Sequence, residues 1–464
     1  MLDWTKLLNS ARRKDLCKES DQQREKPITS RTEFERDYDR ILFATPTRRL
    51  ADKTQVFPME ENDSVRNRLT HSHEVSNLAR SIGIRLAFDH ADAVFGCKLK
   101  MLNVKRDIPA ILAAVGLAHD MGNPPFGHQG ERAIQEWFTE LEPKRDIKKD
   151  FELFDGNAQT FRLLTKLQLL NDKFGLNLTV GTLAASLKYP CIYGSYKSRD
   201  FKKSGVFKSE EEIVKQVWDH TGLDEGVRHP LAYVMEACDD IAYSIIDAED
   251  TVKKGYASFN DLMDHLKTHG SDDQVVKKVI DSAIKENRKY KKGKLSSAEL
   301  NDISMQMFRV YSISEMIDAV TEAFVANVDK IMNRDIDKDF ELVKSSRCYQ
   351  LCKLAKDFDF KHGYQHKDVL KLELKGNNYI KRTMTMLWDG IVCQGKNSAI
   401  KKRQTPFENY AFGLISENYR RVFDDTDKCE DDKFQLLCDA ISGMTENYLI
   451  KIHDQLTSLR YVKP

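Results

Sequence analysis

The chain has 464 residues, of which 41% are hydrophobic and 31% charged, with a formal net charge of +1. That balance excludes a disordered chain and gives no global electrostatic case for nucleic acid or membrane, while the length calls for one large domain or two to three interlocked ones. No apolar run approaches the roughly 18 residues of a membrane helix: "IPAILAAVGLA" (Ile108 to Ala118) is too short, the start "MLDWTKLLNSARRKD" lacks a signal-peptide apolar region, and a reduced cytoplasmic setting is expected from nine scattered cysteines.

Residues 1–45 are polar and highly charged and read as an N-terminal arm or short surface helix. The spacing of Leu69, Val75, Leu78, Ile82 and Leu86 then predicts an amphipathic helix in "VRNRLTHSHEVSNLARSIGIRLAF". "DIPAILAAVGLAH" predicts a second, with Pro109 in its first turn. "GHQGERAIQEWFTEL", "NAQTFRLLTKLQLL" and "TVGTLAASLKY" predict three more, the last stopped by Pro190. Residues 194–212 read as a lysine-rich loop, and His229 to Gly255 as a long helix closed by Gly255. The remainder, 261–464, is mostly amphipathic and helical. "NRKYKKGK" (Asn287 to Lys294) reads as a polar linker, "FDFKHG" as a fragment of a hairpin, and Cys348 and Cys352 as neighbours on one helix face. The expected fold is all-α.

The chemistry concentrates in "LAHDMGNPPFGHQGER" (Leu117 to Arg132). His119 and Asp120 sit where an apolar helix ends, and an adjacent imidazole and carboxylate suit a divalent cation of intermediate softness. Two ligands are too few. His71 lies on the first amphipathic helix. In "HPLAYVMEACDDIAYSIIDAED", Asp239, Tyr243, Asp247 and Asp250 fall on one stripe of an otherwise apolar helix. Such a stripe is costly to bury without partners. A metal and a phosphorylated ligand would satisfy it. His90, His220 and His453 read as structural or surface residues.

The order His71, then His119-Asp120, then Asp239 resembles the HD-domain phosphohydrolases. The blocks "DYDRILFATPTRRLADKTQVF", "VRNRLTHSHEV", "AHDMGNPPFGHQGE", "DGNAQTFR" and "HPLAYVMEACDDIAYSIIDAED" are similar to the bacterial deoxyguanosine triphosphate triphosphohydrolases, from about residue 35 to 255. "LISENYRRVF" and "CDAISGMTENY" extend the likeness. It implies a multi-helix HD-domain catalytic core over 46–260 and a helical C-terminal region over 261–464 that supplies oligomer contacts and part of the nucleotide pocket. It implies that His71, His119, Asp120 and Asp239 hold one divalent metal, Mg or Mn foremost, with Fe, Co or Ni also fitting. His128 and Glu131 match the family's catalytic His and Glu. Gln55, Val56, Arg68, Asn157, Lys188, Tyr189, Lys203, Tyr243 and Asp247 match nucleotide-contacting positions. Relatives of broad specificity carry Lys directly after the last ligand, where this chain has Asp240. That shifts the triphosphate's positive partners to Arg68 and Lys203.

The activity so implied is hydrolysis of dGTP, with other dNTPs possible substrates, to deoxynucleoside and inorganic triphosphate by attack at the α-phosphorus. A general acid would help the poor 5′-alkoxide leaving group by about 10²–10⁴-fold. His128 fits that role, held by Glu131 at i+3, or alternatively attacks phosphorus itself. Homo-oligomers, often hexamers, are the family's habit, with Arg420 or Arg421 a candidate for reaching a nucleotide. Two other readings compete: a generic HD-domain phosphomonoesterase or phosphodiesterase, and a non-catalytic nucleotide- or single-stranded-DNA-binding regulator. The support for DNA lies in "NRKYKKGK" and "IKKRQ" (Ile400 to Gln404).

Overall fold

Two glycines explain why the first two long helices lie so close. The helices that build the site are α1 (Glu33–Leu42), α2 (Arg68–Phe88), α3 (Val104–Ala118), α4 (Gly127–Glu140), α5 (Gly156–Arg162), α6 (Pro230–Lys253), α7 (Gln274–Tyr290), α8 (Ser297–Met332), α9 (Tyr349–Asp359), α10 (Lys367–Val392), α11 (Glu430–Ser442) and α12 (Glu446–Leu459). A Cβ on Gly116 of α3 would come within 2.8 Å of the Ser76 Cα on α2, and one on Gly83 within 3.1 Å of the Pro109 Cα. The pairings 76 with 116 and 83 with 109 make the two helices antiparallel. His71, near the start of α2, therefore meets His119, just past the end of α3.

The computed structural model describes every residue except 18–29, 61, 63, 142–148, 169–172, 202, 395–403 and 461–464. Among the described residues every regular element is helical. The extended pairings are the isolated bridges Arg12 with Thr179, Thr54 with Asn67 and Ile192 with Val206. "IKKRQ" lies outside the described residues apart from Gln404. No described helix is long and apolar enough to cross a membrane. One continuous apolar cluster runs from Leu2 to Leu456, so the three segments distinguished by sequence share a core.

Several local expectations change. The N-terminal segment is not a surface arm where it is described. Leu2, Trp4, Leu7, Phe34 and Ile41 are all buried, the Trp4 indole donates to the Val94 carbonyl at 2.9 Å, and Arg12 pairs with the buried Asp37 at 2.7 Å. A few apolar anchors among many charges were enough to seat it. Pro109 lies inside α3 rather than in its first turn, because the helix starts at Val104, whose side chain is buried. "FDFKHG" finishes α9 and turns through a single π turn at Phe360–Tyr364, with Gly363 pressed against Thr251 and Asp359. Asn287 to Tyr290 are the last turn of α7 rather than linker.

Helix α2 opens with a capping box between Asn67 and Thr70, which fixes where its first turn starts. Helix α6 opens with Pro230 at its first position and the His229 ring as cap, and the chain leaves it through Gly255 at φ +75°. Nearly all of α6 is buried. Asp239, Asp240 and Tyr243 are partly exposed, whereas Asp247 and Asp250 of the polar stripe are buried.

Candidate active site

Four ligand-bearing side chains converge from three helices. His71 comes from α2, His119 and Asp120 from the end of α3, and Asp239 from α6. The ligand atoms of His71, His119 and Asp120 all lie within 4.8 Å of one another. Asp239 Oδ1 is 3.3 Å from His71 Nε2 and 3.5 Å from His119 Nε2, and Asp120 Oδ2 is 3.4 Å from His119 Nε2. Bonds of roughly 2.1 Å to one ion would put neighbouring ligands about 3 Å apart, so the contacts of Asp239 with both imidazoles and of Asp120 with His119 stand near the spacing that a shared cation imposes. His119 Nδ1 lies 2.7 Å from the Gly116 carbonyl, which can only accept. Nδ1 therefore carries the proton and turns Nε2 inward, where it has no hydrogen-bond partner although buried. Two imidazoles and two carboxylates suit Mn, Fe, Co, Ni or Mg.

The electrostatics make the same demand for positive charge. Burial opposes a charge on His119, yet Asp120 and Asp239 outweigh it and lift the imidazole up to about 10. Burial would likewise raise the two carboxyls. Arg68 and His119 instead hold Asp120 far below the ordinary carboxylate range, and His119, His71 and Lys188 do the same for Asp239. Arg68 forms a close ion pair with Asp120, and Asn123 donates to the other Asp120 oxygen at 2.9 Å. Lys188 bridges Asp239 and Glu236, at 3.7 Å from each. The Tyr189 ring lies between Lys188 and Arg228.

The turn after Asp120 carries a second pair. Phe126 is left-handed at φ +63° and caps α4, so His128 stands in that helix's first turn. His128 Nδ1 is 2.9 Å from Glu131 Oε2, and the His128 side chain is 74% exposed while Glu131 is 7% exposed. Glu131 also accepts the Gly156 amide at 2.7 Å and lies 3.4 Å from Lys203. Burial works to raise the Glu131 carboxyl, but His128, Lys203 and the Gly156 amide together lower it. Lys203 reaches Asp155 at 2.6 Å, and Asn157 folds its amide onto the same Asp155 at 2.7 Å. A Cβ on Gly156 would strike the Asn123 side chain, so glycine is required where α5 meets the turn. A Cβ on Gly127 would come within 2.9 Å of Arg68 Nη2. The dyad's turn thus abuts the arginine that holds Asp120.

Two turns further along α6 the surroundings change sign. Asp247 is buried and accepts the Tyr364 hydroxyl at 3.0 Å, and its Oδ1 has no partner. Burial, then Asp359 and Asp250, push its carboxyl well above the ordinary value. Tyr243 stacks on Tyr364 at 5.8 Å, with the Lys356 ammonium 5.4 Å from the Tyr243 ring centre. Val56 is buried in a small apolar cluster with Phe57, Val65 and Val369 beside Tyr364, and the neighbouring Gln55 keeps a buried, unpartnered Oε1. Arg420 donates to the Ile415 carbonyl, and Arg421 lines a cleft with Arg13 and Lys166, so neither meets this site within one chain. A separate cleft of about 950 Å³ along α1, α2 and α3, lined by Tyr38, His73, Arg80 and Arg106 among others, holds none of these groups.

Three residues near the site were missed by the sequence reading. Lys356 pairs with Asp240 at 2.6 Å, so the residue that departs from the relatives' pattern receives a cation from α9. Tyr364 joins Tyr243 to Asp247. Lys53 is buried and donates to the Asn123 and Ser442 carbonyls at 2.6 and 2.7 Å; burial and the neighbouring Arg68 and Arg49 push its ammonium down to about 7. No sequence signal marks any of the three, because helices distant in the chain bring them or their partners together.

Comparison with known proteins fits this geometry. Residues 68–247 match the model of the HD domain family. The chain is 34% identical to a deoxyguanosinetriphosphate triphosphohydrolase-like protein of Listeria monocytogenes, over 99% of this chain and 100% of that one. It is 30% identical to the deoxyguanosinetriphosphate triphosphohydrolase of Yersinia enterocolitica, over 89% and 92%, and 29% identical to that of Serratia proteamaculans, over 91% and 94%. The match spans nearly the whole chain and includes the segment carrying the four converging residues. The chain belongs to the family of HD-domain phosphohydrolases that comprises the deoxyguanosinetriphosphate triphosphohydrolases and the proteins named as like them.

Proposed function

We propose that the protein hydrolyses deoxynucleoside triphosphates, dGTP foremost, to deoxynucleoside and inorganic triphosphate. The observation that carries this reading is the adjacency of two units: the cluster of His71, His119 and Asp120 with Asp239 beside both imidazoles, and the exposed His128 held by the buried Glu131 directly after the turn. The names of the Yersinia and Serratia relatives, matched over 89% and 91% of this chain, support dGTP as the substrate. His71, His119, Asp120 and Asp239 would hold one divalent ion, Mg or Mn foremost, which when bound polarises a phosphoryl oxygen and lowers the pKa of water.

The protein's own groups have separate tasks. Glu131 holds His128 through Nδ1, leaving Nε2 to give a proton to the departing 5′ oxygen. Arg68, Lys188, Lys203 and Lys356 face the triphosphate, with Asn157 and Tyr189 beside them. Tyr243 packs against the sugar, Asp247 and Gln55 offer their unpartnered oxygens to it, and Val56 lines the base side. The catalytic core spans 46–260, with 1–45 and 261–464 folded onto it, and the chain assembles as a homo-oligomer, a hexamer by the family's habit. Light scattering after size exclusion tests the assembly. The main test incubates the protein with each dNTP and Mn or Mg and identifies products by phosphorus NMR. Inorganic triphosphate from dGTP is expected. Orthophosphate, or nucleoside monophosphate, from every dNTP would replace this reading with a generic phosphomonoesterase or phosphodiesterase.

A regulatory contact with single-stranded DNA has one specific support. Lys267, Lys285, Arg288, Lys289 and Lys292 line one surface cleft where α7 ends, with Asp281 and Ile284. Binding of a labelled oligonucleotide should weaken steeply with salt. Affinity independent of salt would remove the idea.

A further inference from the structure

The carboxylate of Glu446 lies at the first position of α12, more than three hundred residues from the dyad, and is 3% exposed. It accepts three hydrogen bonds from two other segments. Oε1 takes the Thr54 amide at 2.7 Å and the Phe126 amide at 3.0 Å, and Oε2 takes the Thr54 hydroxyl at 2.7 Å. Both segments lead to the site. The Thr54 carbonyl accepts Arg68 Nε at 3.0 Å, and Arg68 holds Asp120. Phe126 is the left-handed residue two before His128. A non-glycine residue at positive φ is strained, and the surrounding structure must over-determine it. Three contacts do so here: the Phe126 amide on Glu446, the Phe126 ring packed on Gly376 of α10, where a Cβ would lie 2.4 Å from the ring, and Lys53 fastening the Asn123 carbonyl to that of Ser442 on α11.

We infer that Glu446 is a positioning residue for the hydrolysis proposed above: it clamps the 53–54 strap and the 123–127 turn together, so that His128 and the Arg68–Asp120 pair keep one fixed relation. The C-terminal helices are then part of the catalytic device, although among the described residues no hydrogen bond or ion pair joins their side chains to the four converging residues. The clamp works through geometry rather than charge. A glutamine at 446 could still accept both amides through its carbonyl oxygen and donate to the Thr54 hydroxyl oxygen. An alanine satisfies none of the three donors, and an aspartate is one methylene too short to span them.

The test compares full-length wild type, Glu446→Ala, Glu446→Gln and Glu446→Asp, with Asp37→Asn as a buried carboxylate control on α1. Readouts are kcat and KM for dGTP, Mn²⁺ affinity by calorimetry, thermal midpoint, and amide hydrogen exchange of the segment 123–128. Glu446→Ala should lower kcat by about 10–100-fold, in the range of lost outer-shell support, with KM and Mn²⁺ affinity changed by no more than about threefold, roughly 0.7 kcal/mol. The turn should exchange at least about tenfold faster, the equivalent of one lost hydrogen bond. If the alanine variant does not fold, Glu446→Asp takes its place with the same expectation. Glu446→Gln should recover most of kcat, and Asp37→Asn should lower the thermal midpoint without lowering kcat. The inference is overturned if Glu446→Gln falls as far as Glu446→Ala, if exchange of 123–128 is unchanged, or if Asp37→Asn loses as much kcat. A wild type that makes no triphosphate while the variants still loosen the turn sinks the functional reading and leaves the clamp standing.

Discussion

Helix α6 carries two aspartates eight residues apart, Asp239 partly exposed and Asp247 buried, and their surroundings drive them in opposite directions. Asp239 meets His71, His119 and Lys188, and these partners overcome burial and keep it ionised. Asp247 meets Asp359, Asp250 and two tyrosines, and burial together with the neighbouring acids pushes its carboxyl well above the ordinary value. Asp239 retains 28% of its side chain exposed, whereas Asp247 is fully buried in surroundings that favour its protonated form. The same residue type on the same helix thus meets surroundings that favour its charge at one end and oppose it at the other. What differs is which helices pack there: α2 and α3 bring imidazoles and Arg68, and α9 with its terminal turn brings Asp359 and Tyr364.

The sharpest way to break this contrast is to neutralise the first aspartate. Asp239→Asn should abolish Mn²⁺ binding in calorimetry and reduce dGTP hydrolysis to background, because the two imidazoles lose the carboxylate they share. Normal metal affinity in that variant would remove Asp239 from the ligand set. The next largest effect separates the ligand cluster from the dyad beside it. His128→Ala should bind Mn²⁺ as wild type does and lose about 10²–10⁴-fold in kcat. Turnover at the wild-type rate would end the proposed role of His128.

The sequence made one half of the contrast readable and hid the other. His119-Asp120 followed by a proline turn and a His-x-x-Glu pair is local, and the α6 stripe is visible from its 3.6-residue period. The partners that decide each aspartate's state are not local. Asp359 sits in "FDFKHG", read as a fragment of a hairpin, and Tyr364 directly follows it, but the segment ends a helix in a π turn. Lys356 carries no mark in the sequence of its pairing with Asp240, which arises where α9 packs on α6. Glu446 and Lys53 had no signal, since their value lies in contacts nearly four hundred positions apart. The all-helical fold was legible because long amphipathic periods dominate. Burial of the N-terminal segment was not, because Trp4, Leu7 and Phe34 are sparse among charges.

A smaller effect reads the second aspartate's neighbourhood through pH. Burial, with Asp250 adding to it, pushes the Asp359 carboxyl up to about 7 against the hydroxyl of Thr251. The folded protein then keeps a proton that the unfolded chain releases near 3.8. Stability from this group is full below about pH 4 and is lost as pH rises through about 7. Asp359→Asn keeps an acceptor for Thr251 and never ionises. Its thermal midpoint should match wild type near pH 4.5 and exceed it by about 2–4 °C at pH 8. A gap that widens toward acid would mean that Asp359 is ionised in the fold.

The smallest effect is the most discriminating. If Asp247 is neutral in the working protein, asparagine reproduces both its shape and its charge. It can still accept the Tyr364 hydroxyl and still present a polar atom where Oδ1 now lacks a partner. Asp247→Asn should therefore keep kcat/KM for dGTP within about fivefold, while Asp247→Ala, which forfeits the hydrogen bond proposed to the sugar, should lose about tenfold, the worth of roughly 1.4 kcal/mol. Both should bind Mn²⁺ normally, since Asp247 is two helical turns from the ligand cluster. An asparagine at 247 as damaging as one at 239 would mean that Asp247 acts as an anion, and that the two ends of α6 do the same electrostatic work after all.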